Sequence, residues 1–128
     1  MRENKFKVWC KDRNEWEKHS CFMSENGILY HDTGGPLLTA LKPDTHIPVF
    51  YTDCKDKNGK EIYEGNKING SIPTEQYKYE NGVIEWDDDC AQFTVIFNPD
   101  KDTTIDVPLY MFDEIEIIGD IHENPELL

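Results

Sequence analysis

The stretch QYKYENGVIEW, residues 76–86, is the part of the sequence that says most about the fold. Polar and apolar residues alternate on both sides of Asn81-Gly82, which is the period of a strand with one buried face. Asn-Gly is the strongest short signal for a two-residue hairpin turn. We therefore predict a hairpin in which residues 83–86 form the return strand and the acidic residues 87–89 end it.

Other short strands are predicted on both sides of this hairpin. Alternating or apolar runs occur at residues 5–9, 49–52, 93–97 and 114–118, and turn-forming dipeptides such as Asn-Gly and Asn-Pro separate them. No long segment has a convincing helical period. The pattern predicts a small single domain that is mainly β, with an SH3-like or partly open β-barrel.

The two halves of this domain are expected to differ. Residues 1–48 are predicted to form an N-terminal hairpin followed by an irregular region, and residues 49–128 the barrel-like core. The hairpin would join residues 5–9 to a strand near residues 16–22. Asn124 and the proline after it predict one short helical turn at the C-terminus, over residues 124–128.

Charge is the most unusual feature of the composition. The 128 residues include 13 Lys and Arg against 26 Asp and Glu, a formal net charge of −13. Residues 82–128 contain one basic residue, Lys101, and 13 acidic ones, so their net charge is −12. Such a field repels nucleic acid and anionic membranes and favours solubility or a basic partner. The residues expected to contact a partner protein are Glu85, Asp87, Asp88, Asp89, Asp113, Glu114 and Glu116.

A basic and aromatic segment near the N-terminus favours an alternative function. Basic side chains alternating with aromatic ones are typical of surfaces that bind single-stranded nucleic acid. The residues of this segment are Lys5, Phe6, Lys7, Trp9, Lys11 and Arg13. Acidic neighbours such as Asp12 and Glu15 dilute the positive charge, and nucleic acid is therefore the less favoured partner.

The cysteines indicate a reducing compartment. Cys10, Cys21, Cys54 and Cys90 have no CxxC spacing, and no apolar signal-peptide run follows the charged residues 1–5. We expect reduced thiols in a cytoplasmic protein without a membrane span. Two alternatives remain open. One is a Cys10–Cys21 bridge, and the other is a zinc site that combines these two thiols with His19 and His31.

No motif in the sequence predicts catalysis. The nucleophile elbow G-x-S-x-G and the glycine-rich phosphate loops are absent. Residues 87–89 with Glu85 offer oxygen ligands for a hard cation, but they lack the spacing of a calcium loop, so we interpret them as an acidic turn. The expectation is a protein with no enzyme activity, no cofactor and no bound metal.

Three segments resemble the YopX family, small proteins of phages and prophages in bacteria. They are DKNGKEIYEG at residues 56–65, VIEWD at 83–87 and IEIIGDIHENPELL at 115–128. The opening MRENKFKVW, residues 1–9, is also similar to the start of the family, so the likeness runs from end to end. The resemblance implies a mostly β fold. It implies no known activity, cofactor or catalytic residue.

The shared segments also have a physical interpretation. Gly65 suits a tight bend that turns one strand into the next barrel wall, because glycine accepts positive φ. Trp86 and Phe97 are expected to point inward and anchor the core. The chain departs from the family pattern at Asp53-Cys54 and at residues 66–68, which puts the strand after Gly65 in question.

These inferences predict a non-enzymatic accessory protein of a phage or prophage that works in the cytoplasm of the bacterial host. It would bind an unidentified host or phage protein through its acidic C-terminal third or through an exposed sheet edge. Exposed edges also favour a homo-oligomer. The alternative is a nucleic-acid-associated accessory of phage replication or packaging that uses the basic and aromatic N-terminal segment.

Overall fold

The computed structural model describes residues 5–18, 20–32, 39–75 and 78–124, and the fold is mainly β, as predicted. Short strands follow one another with turns between them, as the short alternating runs require. The strands are β1 Phe6–Cys10, β2 Glu15–Trp16, β3 Ser20–Met23, β4 Leu29–Asp32, β5 Thr39–Ala40, β6 His46–Lys55, β7 Glu61–Tyr63, β8 Asn66–Ser71, β9 Lys78–Asp87, β10 Gln92–Asp100, β11 Thr103–Pro108 and β12 Glu114–Asp120. A 3₁₀ helix, Leu109–Met111, lies between β11 and β12.

The described residues fall into two compact units. The N-terminal unit ends at Phe50 and the C-terminal unit begins at Tyr51, so the boundary lies within β6. In the N-terminal unit, β1 pairs antiparallel with β2 and also with residues 46–50 of β6.

The segment predicted to be irregular contains a three-stranded antiparallel sheet of order β3-β4-β5. That prediction was wrong because strands of two to four residues are too short for alternation to be visible. The hairpin predicted between residues 5–9 and a strand near residues 16–22 is confirmed where β1 pairs with β2, with Trp9 opposite Trp16, but its second strand is shorter than predicted. β2 ends at Trp16, and β3 pairs with β4, where Phe22 stacks on its cross-strand partner Tyr30 with ring centroids 6.0 Å apart.

The C-terminal unit is built on a five-stranded antiparallel sheet of order β11-β10-β9-β8-β12. The sheet curls into a half-barrel, which confirms the predicted partly open barrel. β6 and β7 form a hairpin around Asn58-Gly59. One continuous buried cluster fills the unit: Ile62, Ile68, Ile72, Tyr79, Ile84, Val95, Phe97, Val107, Leu109, Phe112 and Ile115.

The hairpin predicted at Asn81-Gly82 is wrong. β9 continues through both residues, and it pairs first with β8 and then with β10. Its register against β8 shifts between Ile68 and Gly70, so Asn81, with a φ of 59°, forms a β-bulge. The Asn81 N–H donates to Asn69 Oδ1 at 3.1 Å. The left-handed conformation that asparagine tolerates here bends a continuous strand and does not reverse the chain.

Gly82 is needed for packing inside the core. A Cβ at this position would lie 2.4 Å from Cε1 of Phe97, and one at Gly70 would lie 2.7 Å from Cδ1 of Phe112. The two glycines make room for an aromatic group formed by Tyr79, Phe97 and Phe112, whose ring centroids are between 5.2 and 6.1 Å apart. Phe97 is thus the core anchor that the sequence predicted.

Trp86 is not a core anchor. Its side chain is 38% exposed and packs edge-on against Phe93, its cross-strand partner, with ring centroids 4.9 Å apart. Pairing between β9 and β8 ends at Val83. Trp86 therefore lies beyond the part of the sheet that encloses the core, although it follows Ile84 by two residues and shares its face.

The predicted bend at Gly65 is confirmed. Its φ is +81°, its N–H donates to the carbonyl of Ile84 at 2.8 Å, and its carbonyl accepts from the N–H of Ile121 at 2.9 Å. Asn66 completes the bend, since its Oδ1 accepts from the Tyr63 N–H at 2.7 Å. The predicted C-terminal helical turn depends on residues 125–128, which lie outside the described residues.

Candidate partner-binding surface

The acidic residues expected to bind a partner do not form one face. Glu114 lies opposite Ser71, and Ser71 lies opposite Lys78 at the start of β9. Asp87 is at the other end of this ten-residue strand, about 30 Å away at the usual rise per residue. The structure therefore separates two acidic groups. The β9–β10 group consists of Glu85, Asp87, Asp88 and Asp89, and the β12 group consists of Asp113, Glu114 and Glu116.

The β9–β10 group lies at a tight turn. Asp87 Oδ1 accepts hydrogen bonds from the N–H groups of Asp89 at 3.0 Å and Cys90 at 3.3 Å, so this carboxylate holds the turn itself. The charge of Asp87, with a smaller effect of burial, raises the pKa of the exposed Cys90 thiol. Within the described ranges, no three His, Cys, Asp or Glu side chains are placed to hold a metal ion.

The β12 group surrounds one lysine. Lys57 Nζ lies 3.1 Å from Glu116 Oε2 and 3.8 Å from Glu114 Oε1, and the hydrogen bond to Glu116 is the largest cause of its raised pKa. Asp113 is exposed, and Ser71 Oγ donates to its Oδ1 at 3.4 Å. In the part of the chain that the structure describes, no Lys or Arg lies within ion-pair distance of Asp113.

A buried aspartate places Lys57 against β12. Asp56 is 7% exposed, and its carboxylate accepts from the N–H groups of Asn58, Lys60 and Ile117. Burial works to raise the pKa of Asp56, but the N–H donors, led by Lys60, outweigh it and hold the pKa below its ordinary value. The Lys57 N–H also donates to the carbonyl of Ile115 at 2.8 Å. The turn at residues 56–60 therefore occupies the outer edge of β12.

A groove of about 290 Å³ lies beside the β12 group. Leu109, Phe112 and Ile115, all buried, form its apolar floor. Tyr110 stands at its rim with 78% of its surface exposed. The other lining residues are Cys54, Lys55, Asp56, Lys57, Asp113 and Glu114. The groove is formed where the β6–β7 turn meets the segment between β11 and β12.

A second depression, of about 280 Å³, lies on the other side of Lys57 and is more polar. It is lined by Lys57, Asn69, Gly70, Ser71, Lys78, Tyr79, Glu80, Glu114 and Glu116. Lys57 and Glu114 belong to both cavities. The ion pair between them therefore lies between the two cavities.

The sequence missed the aromatic part of this surface. Residues 108–112 have no clear strand or helix pattern, and the charge pattern indicated only carboxylates as partner contacts. Tyr110 and Met111 are nevertheless two large side chains, adjacent in sequence, that the structure leaves 78% and 43% exposed. An aromatic residue and a methionine between a proline and an acidic pair were the available signal.

The basic N-terminal segment is not arranged for base stacking. Trp9 is 5% exposed and lies edge-on against Trp16, with ring centroids 5.0 Å apart. Lys7 Nζ lies 4.2 Å from the centre of the Trp16 ring. Arg13 is paired with Glu17 and lies 3.5 Å from Glu15. The aromatic rings and two of the four cations are therefore engaged inside the unit, which weakens the alternative prediction of a nucleic-acid surface.

The four thiols are free. Cys10 is buried, whereas Cys54 and Cys90 are exposed. The Arg13 Nε–H donates to Cys10 Sγ at 3.4 Å and is the main reason that the pKa of Cys10 is lowered. Burial, followed by the charge of Glu17, raises the pKa of Cys21.

Cys10 lies directly opposite His46 in the β1–β6 ladder. An imidazole that contacts a thiol can activate it as a nucleophile. The ring nitrogens of His46 face other groups. Nε2 lies 3.7 Å from Glu17 Oε2, and Nδ1 lies 2.9 Å from Thr45 Oγ1. Of the predicted zinc ligands, Cys21 lies opposite His31 in the β3–β4 ladder, while His19 is outside the described residues. Arg13, Glu17 and His46 form a polar network within the N-terminal unit.

The fold and these surfaces define a small, mainly β protein with a curled half-barrel. The chain belongs to the YopX family, since the family model described as YopX protein matches residues 5–128. The resemblance stated from the sequence is thereby confirmed.

Two solved structures are similar over nearly the whole chain. Protein EF1440 from Enterococcus faecalis is 23% identical with a TM-score of 0.63, covering 100% of this chain and 99% of that one. Protein yopX from Bacillus subtilis is 22% identical with a TM-score of 0.58, covering 96% of each chain. At these identities the likeness shows the fold. No curated protein matches the chain. In the described residues, no helix is long and apolar enough to cross a membrane.

Proposed function

We propose that this protein is a non-enzymatic interaction module that binds a basic partner protein through its acidic C-terminal unit. Membership of the YopX family supports a phage or prophage origin and work in the bacterial cytoplasm. The observation that carries the proposal is the charge of residues 82–128, where Lys101 is the single basic residue among 13 acidic ones. The segment contains too little positive charge of its own to neutralise this field.

The placement of the charge supports the same proposal. Many of these carboxylates lie on the surface, where they act on a protein that approaches. The exposed ones include Glu85, Asp88, Asp89, Asp100, Asp102, Asp106, Asp113 and Glu114. Complementary charge raises association rates and selects basic partners over acidic ones. Exposed Tyr110 and Met111 add apolar contact area of the kind that carries affinity in interfaces.

The full chain, immobilised on a resin and incubated with a lysate of its native cell, tests this function. We expect a basic protein to be retained at low salt and released as the salt concentration rises, because exposed charges are screened. The control is a triple variant, Asp113→Asn, Glu114→Gln and Glu116→Gln, which should retain less of it. Retention of no protein would contradict the proposal. So would a variant that retains as much protein as the wild type, or retention that does not fall at high salt.

A titration with labelled single- and double-stranded DNA at low salt separates the two predicted functions. We expect no change in anisotropy at micromolar protein, because the net charge of −13 repels phosphate. Saturable binding that weakens when Lys5 and Lys11 are replaced by glutamine would favour the nucleic-acid alternative and count against the present proposal.

A further inference from the structure

We propose that the groove beside Tyr110 receives an arginine or lysine side chain from a basic segment of the partner. This rests on the proposed function and makes it specific, since it selects one of the two acidic groups as the binding site. The groove combines an apolar floor, the exposed Tyr110 ring and the carboxylates of Asp113 and Glu114, and Lys55 and Lys57 also line it.

The size of the groove fits a single long side chain. Its volume of about 290 Å³ is just below the usual range for small-molecule pockets, which begins at about 300 Å³. Buried Leu109, Phe112 and Ile115 offer apolar surface to the methylene groups of lysine or arginine. A cation at the end of that side chain would then reach the rim.

The rim has the chemistry that binds a cation. The Tyr110 ring is 78% exposed, and an arginine or lysine over its face gains a cation–π interaction. Asp113, three residues further on, carries an exposed carboxylate without a Lys or Arg at ion-pair distance in the described ranges. Glu114 adds a second carboxylate. Lys57 neutralises it only in part, because Lys57 also pairs with Glu116. A guanidinium also donates two parallel hydrogen bonds to a carboxylate, so arginine is the better ligand.

The β9–β10 group lacks this combination. Asp87 is occupied by two backbone N–H groups, and Trp86, the nearby aromatic side chain, packs against Phe93. Asp88 and Asp89 are exposed carboxylates on a turn, and neither of them lines the two cavities described above. Charge alone would thus draw a basic segment to both ends of the sheet, while the groove would hold it at one end.

Two native cysteines make the test possible in the unmodified chain. Cys54 lines the groove, and Cys90 adjoins the β9–β10 group, and both thiols are exposed. The probe is a nona-arginine peptide, and a nona-citrulline peptide is the uncharged control. Overall binding is measured by anisotropy, and iodoacetamide alkylation of each cysteine is followed by mass spectrometry with and without saturating peptide. The alkylation rate of each cysteine with peptide is compared with the rate of the same cysteine without peptide. The two cysteines are not compared directly, because the pKa of Cys90 is raised.

We expect nona-arginine to slow alkylation of Cys54 at least fivefold and that of Cys90 less than twofold, and nona-citrulline to change neither. If bound peptide slows alkylation of Cys90 as much as that of Cys54, or slows that of Cys90 alone, the groove is not the binding site. The proposed function stands in that case. Absence of any binding at low salt would remove the basis of both.

Variants of equal charge provide a second measurement. Asp113→Asn and Asp88→Asn each remove one exposed carboxylate, at opposite ends of the sheet. We expect Asp113→Asn to weaken nona-arginine binding about fivefold to tenfold and Asp88→Asn less than twofold. Tyr110→Ser, at a side chain that is mostly in solvent, should weaken it as Asp113→Asn does, without changing the denaturation midpoint. Equal effects of the two Asp variants would show diffuse charge attraction and overturn the inference.

Discussion

The two units of the protein are stabilised in different ways. In the C-terminal unit, strands of six to ten residues supply seven of the eleven buried side chains that form one continuous cluster. In the N-terminal unit, β1 to β5 are shorter, and the buried apolar positions among its described residues are Val8, Trp9, Cys10, Leu29 and Val49. There a network of Arg13, Glu17 and His46 accompanies the apolar contacts. Strand length decides how much core a sheet can enclose.

The largest expected effect separates the two kinds of core. Ile84, 1% exposed in the C-terminal cluster, should lose about 4 kcal/mol of unfolding free energy as Ile84→Ala, because a densely packed site cannot collapse around the cavity. Leu29→Ala in the N-terminal unit should lose about 2 kcal/mol, at the low end for such changes. Urea unfolding followed by tryptophan fluorescence gives both values. Equal losses would erase the contrast between the units.

The buried carboxylate of Asp56 is expected to have the next largest effect. Asp56→Ala should lower the unfolding free energy by about 3 kcal/mol at pH 7, because three backbone N–H groups lose their acceptor. Asp88→Asn, an exposed control, should change it by less than about 0.5 kcal/mol. A cost below 1 kcal/mol for Asp56→Ala would mean that the edge of β12 does not depend on this side chain.

The same residue predicts a pH dependence. The folded-state pKa of Asp56 lies below its unfolded value of about 3.9, so its contribution is fully present above the unfolded value and is lost as the pH falls through the folded one. The difference in stability between the wild type and Asp56→Asn should therefore shrink as the pH is lowered below about 4. Denaturant midpoints of both chains between pH 3 and pH 7 measure it, and a constant difference would contradict the assignment.

Glycines in the two units should differ in a smaller way. Gly82→Ala should cost about 2 kcal/mol, because the new methyl group meets the Phe97 ring. At Gly27, with φ +80° and open space around its Cα, Gly27→Ala should cost about 1 kcal/mol through backbone strain alone. If packing is the cause, Phe97→Leu and Gly82→Ala together should cost less than the sum of the two. Additive losses would point to the backbone instead.

The smallest effect is expected in the N-terminal polar network. The Glu17 side chain is 1% exposed and pairs with Arg13, whose side chain is 47% exposed. Glutamine keeps an oxygen that accepts from Arg13, so Glu17→Gln should cost about 1 kcal/mol. The loss should fall further in 0.5 M NaCl. A loss equal to that of Asp56→Ala would show that charge pairs matter as much in one unit as buried hydrogen bonds do in the other.

Particular elements show how far the sequence reaches. It predicted β10, β12, the bend at Gly65 and the inward Phe97, because each depends on a few adjacent residues. It failed at Asn81-Gly82, since the same dipeptide serves a turn or a bulge and the neighbouring strand decides between them. It also failed to find the groove, because the groove is lined by residues that are far apart in the sequence, such as Cys54 and Tyr110.

The sequence by itself determined that the protein is mainly β, that it belongs with the YopX family and that its negative charge is concentrated after residue 82, because periodicity, motif and composition are local properties. Only the tertiary structure decided that the acidic residues form two groups at opposite ends of a sheet, and that Asp56 reaches the Ile117 N–H. Both depend on the register between strands that are distant in sequence, and that register follows from which side chains the core can enclose.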